Sequence, residues 1–586
     1  MTPMLLIAES SPELSLSRLD WVVVGGYLLL MLVSGIWFAR REPSGAGEYF
    51  LANRRMPAWA VAFSVIASSL SVATFIGVPE SVYKGNMTFM STTLGSVIAV
   101  AVVAAFFIPA FYRANVTTVY GLLEQRFGPG TKRAASGAFM VGRLFASGAR
   151  VYIAAIPLSM VLFGAHAASS PMHLIASIAL LSFVAVAYTL IGGIASVIWT
   201  DVLQTLVLVG AAIGAVLVLL HKIDLPLGEV WGVLQQPLPD GTTKTTLARA
   251  GLEAGKPMMG FDPSQTYTLL TAIFGFSLIN MAAYGTDHDL AQRMLTCKSS
   301  LKGSRSAWSA ILMSLPITMI FMAIGALLFV FYKTGASARG EAPLAEFAGG
   351  RQVFPAFILD EMPAGLKGLM LAGLFAAGLG SLNSAINAMA ATFVSDFYIP
   401  FKSRSVRPGT CGHCGFNRAG LDAVAICPEC GGASDASVSD RHYLGVSRLA
   451  TAAWGVLIGG FAVLCIYWRK ANPQTTLIDF ALQVMTFAYA GLLAVFLCAI
   501  FTRRGSNRSA LGALVTGFGA IAAMQAWPGI ARQIGEWLDI PADEAPRLLT
   551  LNLAYPWQML IATTLAFAVC CLGRARAPAA PSNIDV

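Results

Sequence analysis

Four cysteines in one polar stretch carry the sharpest chemistry in this 586-residue sequence. In TCGHCGFNRAGLDAVAICPECGG, Cys411 and Cys414 form one C-x-x-C knuckle and Cys427 and Cys430 another, with twelve residues between them and Gly415 and Gly431 following the pairs. Two such knuckles bring four thiolates round a tetrahedral centre, the geometry of structural zinc. A redox disulfide pair or an iron-sulfur site suits the spacing less well. His413, between two ligands, reads as a solvated bystander.

A second chemistry lies in polar residues embedded in apolar stretches, where an unsolvated polar group is costly and marks a functional site. SVIASSLSVATFIGVPESVY places Ser64, Ser68, Ser69, Ser71 and Thr74 ahead of Gly77-Val78-Pro79, which reads as a helix break. FGFSLINMAAYGTD places Ser277, Asn280 and Tyr284 ahead of Gly285 and Thr286. Paired interrupted helices at matching positions in two halves suit a transporter whose unwound backbone holds solute and ion; for either stretch alone, close packing of small residues is the competing reading. AGLFAAGLGSLNSAINAMAATFVSDFY carries Gly380, Ser381, Asn383, Ser384 and Asn387, which must face protein or water, not lipid. Two roles stay open for Asp201 in GGIASVIWTDVLQ: capping a helix near the cytoplasmic face, or lining an ion path. Two stay open for Arg150: scaffold, or binding an anionic group.

The elements that position these residues are membrane spans. The chain is 56% hydrophobic and 12% charged, against roughly 25% charged in soluble proteins. That excludes a soluble globule, and the scattered remaining cysteines exclude a disulfide scaffold. The net charge of +9 does not mark a nucleic-acid binder, because no basic run exceeds two residues. Runs of about 20 apolar residues span a bilayer. Thirteen occur, at about 21–39, 58–80, 88–111, 135–163, 172–191, 195–220, 266–288, 307–332, 367–398, 443–467, 477–501, 510–528 and 555–573. Arg18 faces Glu9, Glu13 and Asp20 in the first twenty residues, so no secretory signal start is read and the first span is expected to be retained. Loops after odd-numbered spans, with their edges, hold 23 of the 39 Lys and Arg residues, Arg293 among them, which predicts an N-terminus outside and a C-terminus in the cytoplasm. The expectation is an all-α polytopic membrane protein: an outer segment 1–20, a transmembrane domain 21–573 and a cytoplasmic tail 574–586. The cysteine insertion, 405–435, then lies in the cytoplasm, where thiols stay reduced.

Five segments in order resemble the sodium/solute symporter family: EYFLANRRMPAWAVAFSVIASSLSVATFIG (48–77), FFIPAFYRANVTTVYGLLEQRFG (106–128), GGIASVIWTDVLQ (192–204), YGTDHDLAQRMLTCKS (284–299) and LNSAINAMAATFVSDFY (382–398). The resemblance implies an inverted five-plus-five helix core of the leucine-transporter type, with repeats at about 58–220 and 266–501 and alternating access between them. It implies a main sodium site made of backbone carbonyls of Ala67, Leu70 and Ala377 and the hydroxyl of Ser381; Gly380 stands where the family has a further hydroxyl. A second ion site falls on Asp201, Asn383 and Ser384. Substrate positions fall on Ser69, Thr74, Asn280 and Arg150. Thr74 and Thr93 stand near the Gln and Glu of sugar-carrying relatives, whereas Arg150 aligns with an Arg that meets the substrate carboxylate in sialic-acid carriers. The cysteine insertion departs from the family pattern and resembles short bacterial zinc ribbons, which either fold an insertion without a core of its own or dock a cytoplasmic partner.

The expected function is sodium-coupled symport of a small organic anion, amino acid or sugar across a bacterial inner membrane, with sodium as coupling ion and structural zinc in the ribbon. No nucleotide-binding loop or catalytic constellation points to an enzyme. A proton-coupled symporter and a transport-derived solute sensor are the alternatives. For the insertion the sequence predicts about one zinc per chain, from one four-thiolate centre. Replacing Cys411 and Cys414 together should abolish that zinc on elemental analysis yet leave uptake measurable. Labelling of Cys411 in intact cells by an impermeant thiol reagent would place the ribbon outside and reverse the topology.

Overall fold

The computed structural model describes residues 16–39, 51–164, 167, 170–190, 194–251, 262–334, 353–401, 440–471, 477–537 and 553–574. The cysteine insertion lies outside these residues. Where no water can solvate backbone groups, helices satisfy them within the segment, and the described residues of the apolar runs lie mostly on helix. The long helices are α1 (Arg18–Ala39), α2 (Ala58–Ser69), α3 (Val72–Lys84), α4 (Met87–Arg113), α5 (Pro129–Phe163), α6 (Pro171–Thr189), α7 (Ile194–Lys222), α8 (Thr271–Gly285), α9 (His288–Leu295) and α10 (Ser300–Lys333). They continue as α11 (Leu366–Phe401), α12 (Asp440–Ala471), α13 (Leu477–Phe501), α14 (Asn507–Trp537) and α15 (Tyr555–Cys571). By length and composition, eight helices among the described residues can each cross a membrane, and the α2–α3 pair makes up to nine.

The first break lies at Leu70–Ser71, not at Gly77-Val78-Pro79 where the sequence pattern suggests it. Leu70 has ψ 88° and Ser71 is extended, so α2 and α3 meet at 59°. Ser71 restarts the helix by accepting Thr74 N–H at 2.8 Å and Phe75 N–H at 3.0 Å on its carbonyl. The Ser69 hydroxyl donates to Ile66 O at 3.1 Å, the local competition with the backbone that serines offer. The Gly-Val-Pro triplet runs helically and serves packing instead. A Cβ at Gly77 would lie 3.0 Å from Ile478 N, and one at Gly325 of α10 would lie 2.5 Å from Pro79 O. The second break, at Thr286–Asp287, follows Gly285 as the residues suggest. Asp287 caps α9 by accepting Asp289 N–H at 3.0 Å.

These breaks sit inside a bundle in which α7 packs against α2, α10 and α11, α11 against α2, α3 and α5, and α13 against α5 and α8. α1 lies outside it and caps α11: Asp20 Oδ1 accepts the backbone N–H groups of Gly365 and Gly368, each at 2.8 Å. On the side read as outer, the segment after α7 folds back over the end of α3. There Lys244, 1% exposed, donates to Val82 O at 3.1 Å and Tyr83 O at 2.7 Å and stands 4.0 Å from the centre of the Phe329 ring. A cation suits a helix C-terminus, and these carbonyls are otherwise orphans.

Burial, reinforced by the neighbouring Lys333 charge, lowers the Lys244 ammonium from 10.5 to about 8. The unfolded chain therefore holds this proton more tightly than the folded one, so the Lys244 contribution to stability should rise with pH from about 8 to 10.5. Melting of the purified protein against pH, compared with Lys244→Met, checks this. The wild-type advantage over the variant should grow across that window, and a constant difference would contradict the assignment.

Candidate functional site

Helices α3, α4, α5, α8, α10 and α13 enclose a cavity at the level of the two breaks. Ser69, Thr74, Arg150 and Asn280 all line it, so the four residues proposed for substrate, drawn from three distant stretches, meet in one place. Thr93 lines it as well. Asn280 donates its amide to Phe276 O at 2.9 Å, fixing the side chain in position. Arg150 is the distinctive member: Nη1 is buried without a hydrogen-bond partner, and Nη2 reaches only Met485 Sδ at 3.6 Å. Among the described residues no carboxylate lies within ion-pair distance of it. A buried guanidinium needs a charged acceptor, and its planar fork matches a carboxylate bidentately.

Next to the cavity, α11 crosses the α2–α3 break. Ala377 and Ser381 lie on α11, buried, while Ala67 and Leu70 lie at the end of α2. Ser68 Oγ donates to Ser384 Oγ at 3.4 Å and Gly378 approaches Val72, a Cβ at 378 falling 3.2 Å from its methyl. Ser381 donates its hydroxyl to Ala377 O and Gly378 O, 3.1 Å each, which leaves the oxygen lone pairs to accept. Gly380 does not border an open gap. A Cβ there would overlap Gln204 Oε1 of α7, so the position faces a close helix neighbour, and adding a serine hydroxyl without moving Gln204 is sterically blocked.

Asp201 lies two turns into α7, which begins at Ile194, so it does not cap that helix. Its Oδ2 accepts Ser64 Oγ at 2.5 Å and Arg293 Nη2 at 3.1 Å. Arg293, on α9 and fully buried, also donates to Ser64 Oγ at 2.8 Å, to Asp289 Oδ1 at 2.7 Å and to Ser384 Oγ. Two members proposed for a second ion, Asp201 and Ser384, are thus joined by a guanidinium; the third, Asn383, accepts Thr189 Oγ1 at 3.1 Å instead. A cation between Asp201 and Ser384 would have to share or displace Arg293. The network continues through Arg143 of α5, which donates to Asp287 Oδ2 at 2.9 Å and to Asp289, and Tyr489 of α13 donates to Asp287 at 2.7 Å.

Arg143, Asp287, Asp289, Arg293, Tyr489 and Gln204 are residues that the sequence reading passes over, and it counts Arg293 among the charges of an inner loop. The signal was TDHDLAQR directly after a helix break, too polar to be apolar span and too short to be a solvated loop. Cys411, Cys414, Cys427 and Cys430 lie outside the described residues, and among the described residues no cluster of three or more His, Cys, Asp or Glu side chains could hold a metal.

A profile described as the sodium:solute symporter family matches residues 49–408. The sodium/sialic acid symporter SiaT of Proteus mirabilis is 27% identical over 509 residues, 86% of this chain and 89% of the relative. The sodium-coupled monocarboxylate transporter 1 of Homo sapiens is 25% identical over 557 residues, 93% of this chain and 79% of the relative. A solved structure described as the substrate-bound outward-open state of a Na+-coupled sialic acid symporter superposes with a TM-score of 0.70 at 24% identity, covering 95% of this chain and 97% of that one. This chain shares its fold.

The buried network generates a stability prediction. Removing one partner of a buried ion pair strands the other charge, at a cost of about 3–5 kcal/mol. Arg143→Leu should therefore lower the melting temperature and the folded yield sharply, and Arg143→Leu with Asp287→Asn should recover part of both. Wild-type melting of the single variant would mean that the network carries no stability.

Proposed function

Since the chain belongs to the sodium:solute symporter family, a family of sodium-coupled transporters, we propose that its solute is a small organic anion recognised through a carboxylate, carried with sodium by alternating access. The observation that carries this reading is Arg150, a guanidinium without an acidic partner among the described residues, on the wall of a cavity that also presents hydroxyls and an amide. The carboxylate docks on Arg150, while Ser69, Thr74 and Asn280 take the remaining polar groups. Arg143, two turns earlier on the same helix, is spent on two carboxylates; Arg150 is not. Sialic acid and monocarboxylates, which the relatives' names mention, both carry the required group.

Sodium sits at the α2–α3 break, on the carbonyls of Ala67, Leu70 and Ala377 and the hydroxyl of Ser381. A hard cation takes such oxygens, and an unwound backbone exposes them. Placing cation and carboxylate in neighbouring positions gives each a reason to bind more tightly when the other is present, which is coupling in its simplest form. The carboxylate of Asp201, held by Arg293 and Ser64, is engaged in structure, which favours sodium over a proton carried there. The paired breaks of α2–α3 and α8–α9 support the inverted repeat, and thirteen spans with the N-terminus outside remain the proposed topology. The ribbon at 405–435 is proposed to hold structural zinc through Cys411, Cys414, Cys427 and Cys430.

Counterflow in proteoliposomes with labelled carboxylates, amino acids and sugars, with and without sodium, tests the reading. Arg150→Lys keeps the charge but loses the bidentate fork. Apparent solute affinity should fall roughly tenfold or more, the scale of one lost charged hydrogen bond, while folded yield holds. Normal transport of a neutral solute by the variant would sink the anion assignment.

A further inference from the structure

Beside Gly380 the structure holds an oxygen with nothing to bind. Gln204 lies three residues beyond Asp201 on α7, is 3% exposed, and its Oε1 has no hydrogen-bond partner among the described residues. Buried amide oxygens are almost always paired, and an exception asks for an explanation such as an ion. Across from it on α11 the chain has no side chain at all. A Cβ built on Gly380 would overlap Oε1, lie 3.3 Å from the Gln204 amide carbon and lie 3.7 Å from Asp201 Oδ1. The amide oxygen therefore occupies the volume that a side chain at 380 would fill. Asp201 turns its other oxygen, Oδ2, to Ser64 and Arg293. At Gly380 the contact between α7 and α11 is thus filled by the Gln204 amide oxygen with Asp201 Oδ1 close by, and Ser381, which carries the candidate hydroxyl ligand, is the next residue of α11. An unpartnered amide oxygen beside a carboxylate suits a hard cation, which takes oxygen ligands.

We propose that Gln204 Oε1 is a ligand of the coupling sodium, reaching across from α7 to supply the oxygen that Gly380 does not supply from α11. This rests on the symporter reading and deepens its ion site. The exchange is sterically reciprocal: glycine at 380 makes room for the amide, and the amide takes the place of a hydroxyl. It also ties the ion to a third helix, so that sodium links α2, α7 and α11 instead of α2 and α11 alone.

The reciprocity supplies the test. Losing one oxygen ligand should weaken sodium binding by about ten- to a hundredfold, the worth of one interaction with a charged group. Two readouts on purified protein are required: sodium-dependent uptake in proteoliposomes, and the rise in melting temperature with sodium against a choline control, since a ligand bound only by the folded state stabilises it. Gln204→Leu should shift both sodium dependences upward by that factor. Gly380→Ser alone should weaken sodium binding or folding, because the new side chain and the amide collide. Gln204→Ala with Gly380→Ser, which removes the collision and moves the oxygen to α11, should regain sodium dependence close to wild type. If sodium stabilises the wild type but Gln204→Leu and Gln204→Ala titrate identically to it, the ligand assignment is wrong while the symporter reading stands. If neither readout of the wild type responds to sodium, the symporter reading fails first and takes this assignment with it. Should Gln204→Leu fail to fold, the double variant decides alone: folding without recovered sodium dependence overturns the proposal.

Discussion

A guanidinium taken wholly out of water must find an acceptor for each of its donors and a negative charge for its own, and Arg293 does so only because four helices converge on it. Ser64 comes from α2, Asp201 from α7, Ser384 from α11 and Asp289 from its own helix α9. Arg143 extends the set to α5 by sharing Asp289 and adding Asp287. Pulling any one of these helices away leaves a buried charge uncompensated, which is far more costly than losing apolar contact. The two broken helices, whose unwound residues could not hold themselves in place, are thereby fixed relative to each other. Ser64 precedes the first break and Asp287 begins the helix after the second, so the network clamps both breaks from one side and leaves the cavity on the other.

That arrangement assigns different physical duties to arginines that look alike in sequence. Arg143 and Arg150 lie on one face of α5, two turns apart, yet one is saturated by carboxylates and the other faces a cavity with a thioether for company. Saturation builds the frame; want of a partner builds a binding site. The same contrast holds between Asp201, engaged through one oxygen, and Gln204, whose oxygen is free, three residues along α7. In each pair the structural residue and the site residue share a helix, so the site inherits its positions from the frame directly.

How much of this was legible in the sequence follows from what each feature depends on. Spans depend on local composition, so the described parts of the apolar runs fall mostly on helix and eight or nine spans qualify by length and composition among the described residues, and Gly285-Thr286 marked its break because the polar TDHD follows at once. Gly77-Val78-Pro79 misled, since proline inside a membrane helix is tolerated when neighbours pack against it, and Gly325 and Ile478 do so. The true break needed the ψ of Leu70, which no single residue type announces. Ser69, Thr74, Asn280 and Arg150 were legible through resemblance, and their meeting in one cavity is tertiary. Arg293 was misassigned because a lone basic residue at the edge of an apolar run looks like a loop charge. Only its partners, far apart in sequence, say otherwise. Gly380 looked like a subtraction until the facing helix was in place.

One consequence of the charge inventory concerns electricity. The buried network and the cavity arginine together set Arg143, Arg150 and Arg293 against Asp201, Asp287 and Asp289, and the formal charges of these six groups cancel. Taken together, these six groups of the empty carrier present no net charge to the membrane potential. Its loaded form carries whatever the cargo carries: one sodium with a monoanion adds no net charge, whereas one sodium with a zwitterion adds a full elementary charge. For that charge the field supplies about 2.3 kcal/mol per 100 mV. On the proposed reading, with one sodium per solute, the charge of the solute then determines whether the loading step is driven by voltage or by the chemical gradient of sodium alone.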